Sequence, residues 1–292
     1  MTFILSAFIA AAFYVLARLD VATRLTPDGR FYAAAGTGTA VPRPYAFRWL
    51  PPMLCGAESW RWQALSAASL IAWGPLMAWY LAAFGLAPWQ QLAGVALLCG
   101  LPGLFRLNAS FPALVDAPAF ALALAAAGCW LHGHVWAGVG LAVAAGACKE
   151  TAPVFAAVFA WHPALLVGLA GAAWWAKSGP APAWAAQWLS NPVKAALKAH
   201  EGAWLSWQAM LLPWGALALL APLAAMAAPW ALLIPAAVAV ALGYAQMVAA
   251  QDRARLFCWA APAVIVVALA ALPMEWAGVA VVAHAFNPYR GA

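Results

Sequence analysis

The sequence predicts an all-α fold: a polytopic bundle of roughly 8–11 membrane segments in a single membrane domain over residues 1–292. Three observations carry that expectation. Of the residues, 67% are hydrophobic and only 8% charged, whereas a soluble domain carries about 25% charged residues. The mean hydropathy is +0.86. The Ala/Leu/Val blocks recur from end to end without the period-two alternation that a transmembrane barrel would show.

Reading apolar runs between polar breaks gives segments at about 2–17, 63–83, 89–105, 113–130, 135–147, 152–161, 164–176, 210–226, 230–250 and 256–272, then a short tail. The first has no basic leader and no cleavage signal and reads as a retained span. Several fall short of the ~20 residues of a straight span, so some are expected to be buried in the bundle or re-entrant. Two polar stretches interrupt the series. Residues 18–62 form a long first extramembrane loop. Residues 177–208 contain NPVKAALKAHEGAWLSW, whose Val193, Ala196, Leu197 and Trp204 suggest an amphipathic helix along the interface. The 19 tryptophans are expected mostly at the interfaces.

If each break reverses the chain, the charges sort by side. One side receives the first loop, Arg106–Asp116, Lys149-Glu150, the 177–208 stretch and Asp252–Arg255. That side then holds all of the 14 lysines and arginines but Arg290, and all of the 8 acids but Glu275. A site handling a charged, phosphate-bearing substrate has a use for both signs on one face. The basic residues are dispersed rather than massed in a strip, which argues against nucleic acid as a partner and fits membrane lipids or an anionic substrate. The five cysteines form no CxxC pair, so neither a zinc site nor a disulfide framework is indicated.

The candidates for chemistry lie in those breaks. Asp28 follows Thr-Pro and precedes Gly, which places it in a turn beyond the first span; it reads as a general base, a ligand for a divalent cation, or a turn aspartate bonding the backbone. Tyr32 shares its loop. Arg48, in PYAFRWLPP, reads as a bidentate phosphate clamp or as an interfacial arginine beside aromatic residues. Asp116, in NASFPALVDAPAF, has only apolar neighbours at the start of a membrane segment, where an ionisable group needs a partner or a function. Lys149 and Glu150 are adjacent, cannot share a helical face, and are expected to find different partners. Asp252, Arg253 and Arg255 form the last cluster, as substrate ligands or topology signals. Asn108 opens a formal glycosylation sequon against a membrane segment. His132 and His134 sit in a turn with no third ligand nearby in sequence.

In this order, the first-loop aspartate, PYAFRWLPP, NASFPALVDAPAFALAL, GACKETAP and DRARLFCWAAP resemble the polytopic GT-C glycosyltransferases, and more narrowly their small bacterial members. The resemblance falls within 28–163 and 252–262. It implies inverting transfer of a sugar from a polyprenyl-phosphate donor to a saccharide, lipid or protein acceptor, at the extracytoplasmic face of the bacterial inner (plasma) membrane. Carried over, Asp28 would be the general base. Arg48, Lys149 and Arg253 or Arg255 would hold the lipid phosphate. Asp116 and Glu150 would position the acceptor or a divalent cation, magnesium or manganese. Two departures stand out: Asp28 lacks the acidic neighbour many relatives carry, and the chain lacks the soluble C-terminal domain of larger ones. The positive-inside rule would put the charged face in the cytoplasm; the resemblance puts it outside, and we take the latter as the expectation. Two other classes fit the sequence: a lipid or solute transporter, which would need charges near mid-membrane, and a non-catalytic scaffold subunit of an envelope assembly.

Overall fold

The computed structural model describes residues 1–19, 27–41, 45–173, 211–250 and 257–285. Among them the chain is helical throughout, with no strand. Helix α1 (Thr2–Leu19) packs on α4 (Ser59–Ala82) and α5 (Pro88–Cys99). A π-helical turn (Pro102–Arg106) and short α6 (Leu107–Ser110) continue α5 after a bend of 51°. Helix α7 (Asp116–Leu131) lies between α4 and α8 (Val135–Cys148); α9 (Ala152–Phe159) follows, and a 3₁₀ turn (Pro163–Gly168) with α10 (Leu169–Ala173) returns along α8. Beyond residue 210 come α11 (Leu217–Ala225), α12 (Trp230–Ala250), α13 (Ala261–Ala271) and α14 (Met274–Ala285).

Every apolar run read from the sequence has a helix in the described residues. Two expectations need correction. The 18–62 segment is not an open loop: it carries α2 (Pro27–Gly36) and α3 (Leu50–Cys55), and α4 already begins at Ser59. The closing tail contains α14, because GVAVVAHA continues an apolar helix past Glu275. The 177–208 stretch lies outside the described residues.

The helices start where the sequence permits. Proline occupies the first or second position of α5, α9 and α13, where no intrahelical N–H bond is lost. They pack closely where side chains are smallest. A methyl group on Gly74 of α4 would come within 2.2 Å of the Ser6 carbonyl oxygen of α1, and one on Gly146 of α8 within 2.0 Å of the Gly168 carbonyl oxygen. Those seams need glycine because backbone meets backbone.

By length and composition one described helix, Ser59–Ala82, suffices to cross a bilayer, and the bent pair Pro88–Cys99 and Pro102–Ser110 passes when taken together. The apolar helices Thr2–Arg18, Asp116–Leu131 and Val135–Cys148 are shorter, as is the apolar stretch Trp230–Gln246 within α12. The outer faces are strongly apolar. Phe3, Ile4, Leu5, Phe8, Val15 and Leu16 of α1 are exposed, as are Trp136, Leu219, Met226 and Trp230.

Candidate functional site

The chain reversals put two kinds of chemistry at opposite ends. At one end His132 stacks on Trp79 at 4.9 Å, its Nε2 lies 3.0 Å from the Trp79 carbonyl, and Trp130 meets His162 at 4.2 Å. These imidazoles pack on aromatic rings, and we assign them no chemistry. At the other end stand the first-loop helices, the start of α7 and the α8–α9 turn.

Two ion pairs cross that polar end. α7 and α8 are antiparallel neighbours, so the N-terminus of α7 meets the C-terminus of α8. Asp116 is the first residue of α7 and Lys149 caps α8. Each charge therefore has the sign that its helix dipole favours. Lys149 Nζ donates to Asp116 Oδ1 at 2.5 Å, both side chains are 3% exposed, and the ammonium lies 5.0 Å from the centre of the Trp259 ring. A buried charge is tolerable only with such partners.

Glu150, one residue on, points elsewhere. Arg48 donates Nε to Oε2 at 2.8 Å and Nη2 to Oε1 at 2.6 Å, the bidentate fork that suits guanidinium and carboxylate. This pair is more open: Arg48 is 14% and Glu150 29% exposed. The neighbouring opposite charges do find different partners, as their adjacency requires. Burial pushes the Glu150 carboxyl up, but the Arg48 charge and its hydrogen bonds outweigh that and hold it below the usual carboxylate range.

The aromatic residues of the first loop organise the rest. Arg48 Nη1 donates to the Tyr32 hydroxyl at 2.5 Å. Tyr32 is buried against Cys55, Trp62, Ala113 and Val115, and burial raises its phenol above the ordinary range despite Arg48. Tyr45 donates to Asp28 Oδ1 at 2.6 Å, stacks on Phe31 at 4.7 Å and meets Tyr32 edge-on at 5.4 Å. Its ring centre lies 6.0 Å from the Arg48 guanidinium carbon. Burial, then the bond to Asp28 and that group's charge, raises the Tyr45 phenol. Trp49 Nε1 ties the loop to the Gly171 carbonyl at 2.9 Å.

The structure thus gathers Asp28, Tyr32, Arg48, Asp116, Lys149 and Glu150 at one end. Asp28 is not in a turn: it opens α2 behind Pro27, since Pro at the first position and an acid in the first turn also start a helix. Asp116 is too enclosed and too firmly bonded to Lys149 to position an acceptor in this conformation. Asn108 stands apart, with its side chain bonded back to the Leu104 carbonyl. Asp252, Arg253 and Arg255 lie outside the described residues. From the sequence Tyr45 counts as one of two tyrosines in the first loop, with no role of its own, and Trp259 is not singled out. Among the described residues no group of three His, Cys, Asp or Glu side chains could hold a metal ion, and Asp28 has a hydroxyl donor rather than a second carboxylate beside it. That set does not fit a magnesium or manganese ion, which needs several oxygen ligands. No step below is routed through one.

Compared with protein-family models, curated proteins and solved structures, the chain matches none.

Proposed function

We propose that the chain is a multi-pass membrane protein and a GT-C-type glycosyltransferase that uses a polyprenyl-phosphate sugar, with Asp28 as general base. The membrane part is supported by the exposed apolar face of α1, where Phe3, Ile4, Leu5, Phe8, Val15 and Leu16 lie on one helix, and by exposed Trp136, Leu219, Met226 and Trp230. The catalytic part rests on one observation. A carboxylate and a guanidinium are held on a single aromatic platform: Tyr45 bonds Asp28 through its hydroxyl and lies under Arg48 through its ring.

In this reading Asp28 takes the proton of the acceptor hydroxyl as its oxygen attacks the anomeric carbon in line. The bond from that carbon to the phosphate oxygen breaks, the phosphate leaves with the electron pair, and the anomeric configuration inverts. Arg48 stabilises the leaving charge. Asp28→Asn is the test, in protein purified in detergent and supplied with polyprenyl-phosphate sugars. Loss of a general base lowers turnover by about 10²–10⁴, read as polyprenyl phosphate released, while the thermal unfolding midpoint stays near wild type. Retained turnover removes Asp28 from the role.

A second reading, a non-catalytic scaffold, is favoured by the carboxylate partners that both Arg48 and Lys149 already have within the chain. It expects Asp28→Asn to leave assembly intact. The transporter reading is disfavoured because Asp116 begins one helix and Lys149 ends another, rather than standing at mid-helix.

A further inference from the structure

The two ion pairs of the polar end differ in a way that bears on anion binding. Asp116 and Lys149 are sealed, each side chain 3% exposed. Arg48 and Glu150 are only partly buried, 14% and 29% exposed, and join segments 102 residues apart in the chain. The Glu150 carboxylate occupies both donors of the fork, Nε and Nη2, the two positions that would receive two oxygens of a phosphoryl group. The third bond, Nη1 to the buried Tyr32 hydroxyl, does not involve Glu150. Removing the carboxylate therefore leaves the guanidinium aimed as before.

We infer that Glu150 is a displaceable internal stand-in for a phosphoryl group, and that Arg48, aligned by Tyr32, is the seat that such a group takes when Glu150 swings away. Resting on the transferase reading, this reverses the sign of the role for Glu150: it holds the phosphate seat closed rather than helping the reaction. The ligand chemistry is a phosphate mono- or diester, or a diphosphate, carried by a lipid or free in solution. Closure of the seat by a carboxylate keeps Arg48 paired at the membrane surface until the oxygens of a phosphoryl group compete for the same two donors.

The test measures binding to the full chain in detergent, with inorganic pyrophosphate and with a polyprenyl monophosphate in mixed micelles as separate probes, and the matching polyprenol as the uncharged control. Glu150→Gln keeps the shape and removes the charge. The carboxylate's charge-assisted bonds to Arg48 no longer compete, so affinity for the phosphorylated probe rises about tenfold. Glu150→Asp, whose shorter side chain reaches the fork less well, gives a smaller gain and stands in if Glu150→Gln does not fold. Arg48→Gln in the Glu150→Gln background abolishes the gain. Tighter binding of both phosphorylated probes assigns a seat for the phosphoryl group itself; tighter binding of the lipid alone assigns a headgroup seat. Unchanged or weaker binding in both Glu150 variants overturns the inference, and so does a gain that survives Arg48→Gln or extends to the polyprenol. The outcome is separate from that of Asp28→Asn: a phosphate seat without sugar transfer leaves this inference standing and removes the transferase, and the reverse result does the opposite.

Discussion

Breaking the sealed pair should cost far more than its replacement. Lys149→Met removes the ammonium that pairs with the Asp116 carboxylate at a point where both side chains are closed to solvent. Breaking a buried ion pair by removing one partner costs about 3–5 kcal/mol. Asp116→Asn/Lys149→Met removes both charges, and a buried pair exchanged for uncharged groups of similar volume is often neutral. The double variant still loses the favourable charge at the N-terminus of α7 and at the C-terminus of α8, about 0.3–1 kcal/mol each. It should therefore lie about 0.6–2 kcal/mol below wild type by that helix-end charge loss alone, well above Lys149→Met. Because Asp116→Asn alone also breaks the pair, the two single costs together exceed the double cost by more than about 2 kcal/mol, which is the coupling energy between the two sites. Equilibrium unfolding by sodium dodecyl sulfate in mixed micelles, followed by tryptophan fluorescence, measures all four corners of the cycle. A Lys149→Met cost under about 1 kcal/mol, or single costs that simply add, would refute the claim that this pair is desolvated and mutually dependent.

Three further outcomes follow from the geometry. Gly146→Ala should lower stability by about 1–3 kcal/mol through backbone collision with Gly168, whereas Gly140→Ala, which meets nothing within 4 Å, should not; equal unfolding midpoints would show that the seam between α8 and the 3₁₀ turn gives way. Glu150 has a lowered folded-state pKa, so its contribution is full above the unfolded value of about 4.3 and is lost as pH falls through the folded value. Hydrogen-exchange protection of residues 27–41 and 45–55, referred to the intrinsic rate at each pH, should therefore fall on acidification below about pH 4, and Glu150→Gln should show the lower protection already at neutral pH. Single cysteines at exposed Thr37 and His134, in a background lacking the five buried native cysteines, should label from opposite sides of the membrane. Labelling of Thr37 from outside places the charged end there; labelling of both from one side contradicts the segment count.

Much of the helical plan can be read in the chain, because an apolar run long enough to need burial announces itself by composition. What composition misses is short or ambiguous. Pro27-Asp28-Gly29 is turn chemistry and helix-start chemistry at once, and only the burial of Tyr32 one turn later selects the helix. Helix α14 is hidden by Pro273 and Glu275, which read as the end of the last apolar run.

The site divides in the same way. That Lys149 and Glu150 take different partners follows from adjacency, since consecutive residues on a helix diverge. Which partners they take does not, because Asp116 and Arg48 lie 33 and 102 residues distant and reach them through the folding of intervening helices. Charges of both signs gathered at one end fit a substrate-binding site, and they fit equally a set of charges that satisfy one another. Exposure separates the two cases. Asp116 and Lys149 are closed to solvent, as a pair that belongs to the architecture should be, whereas Arg48 and Glu150 are partly exposed, as the inferred exchange of partners requires. A phosphoryl group in the inferred seat therefore competes with Glu150 for Arg48 and leaves the sealed Lys149 untouched, and mutation of Glu150 should alter affinity first and turnover only through it.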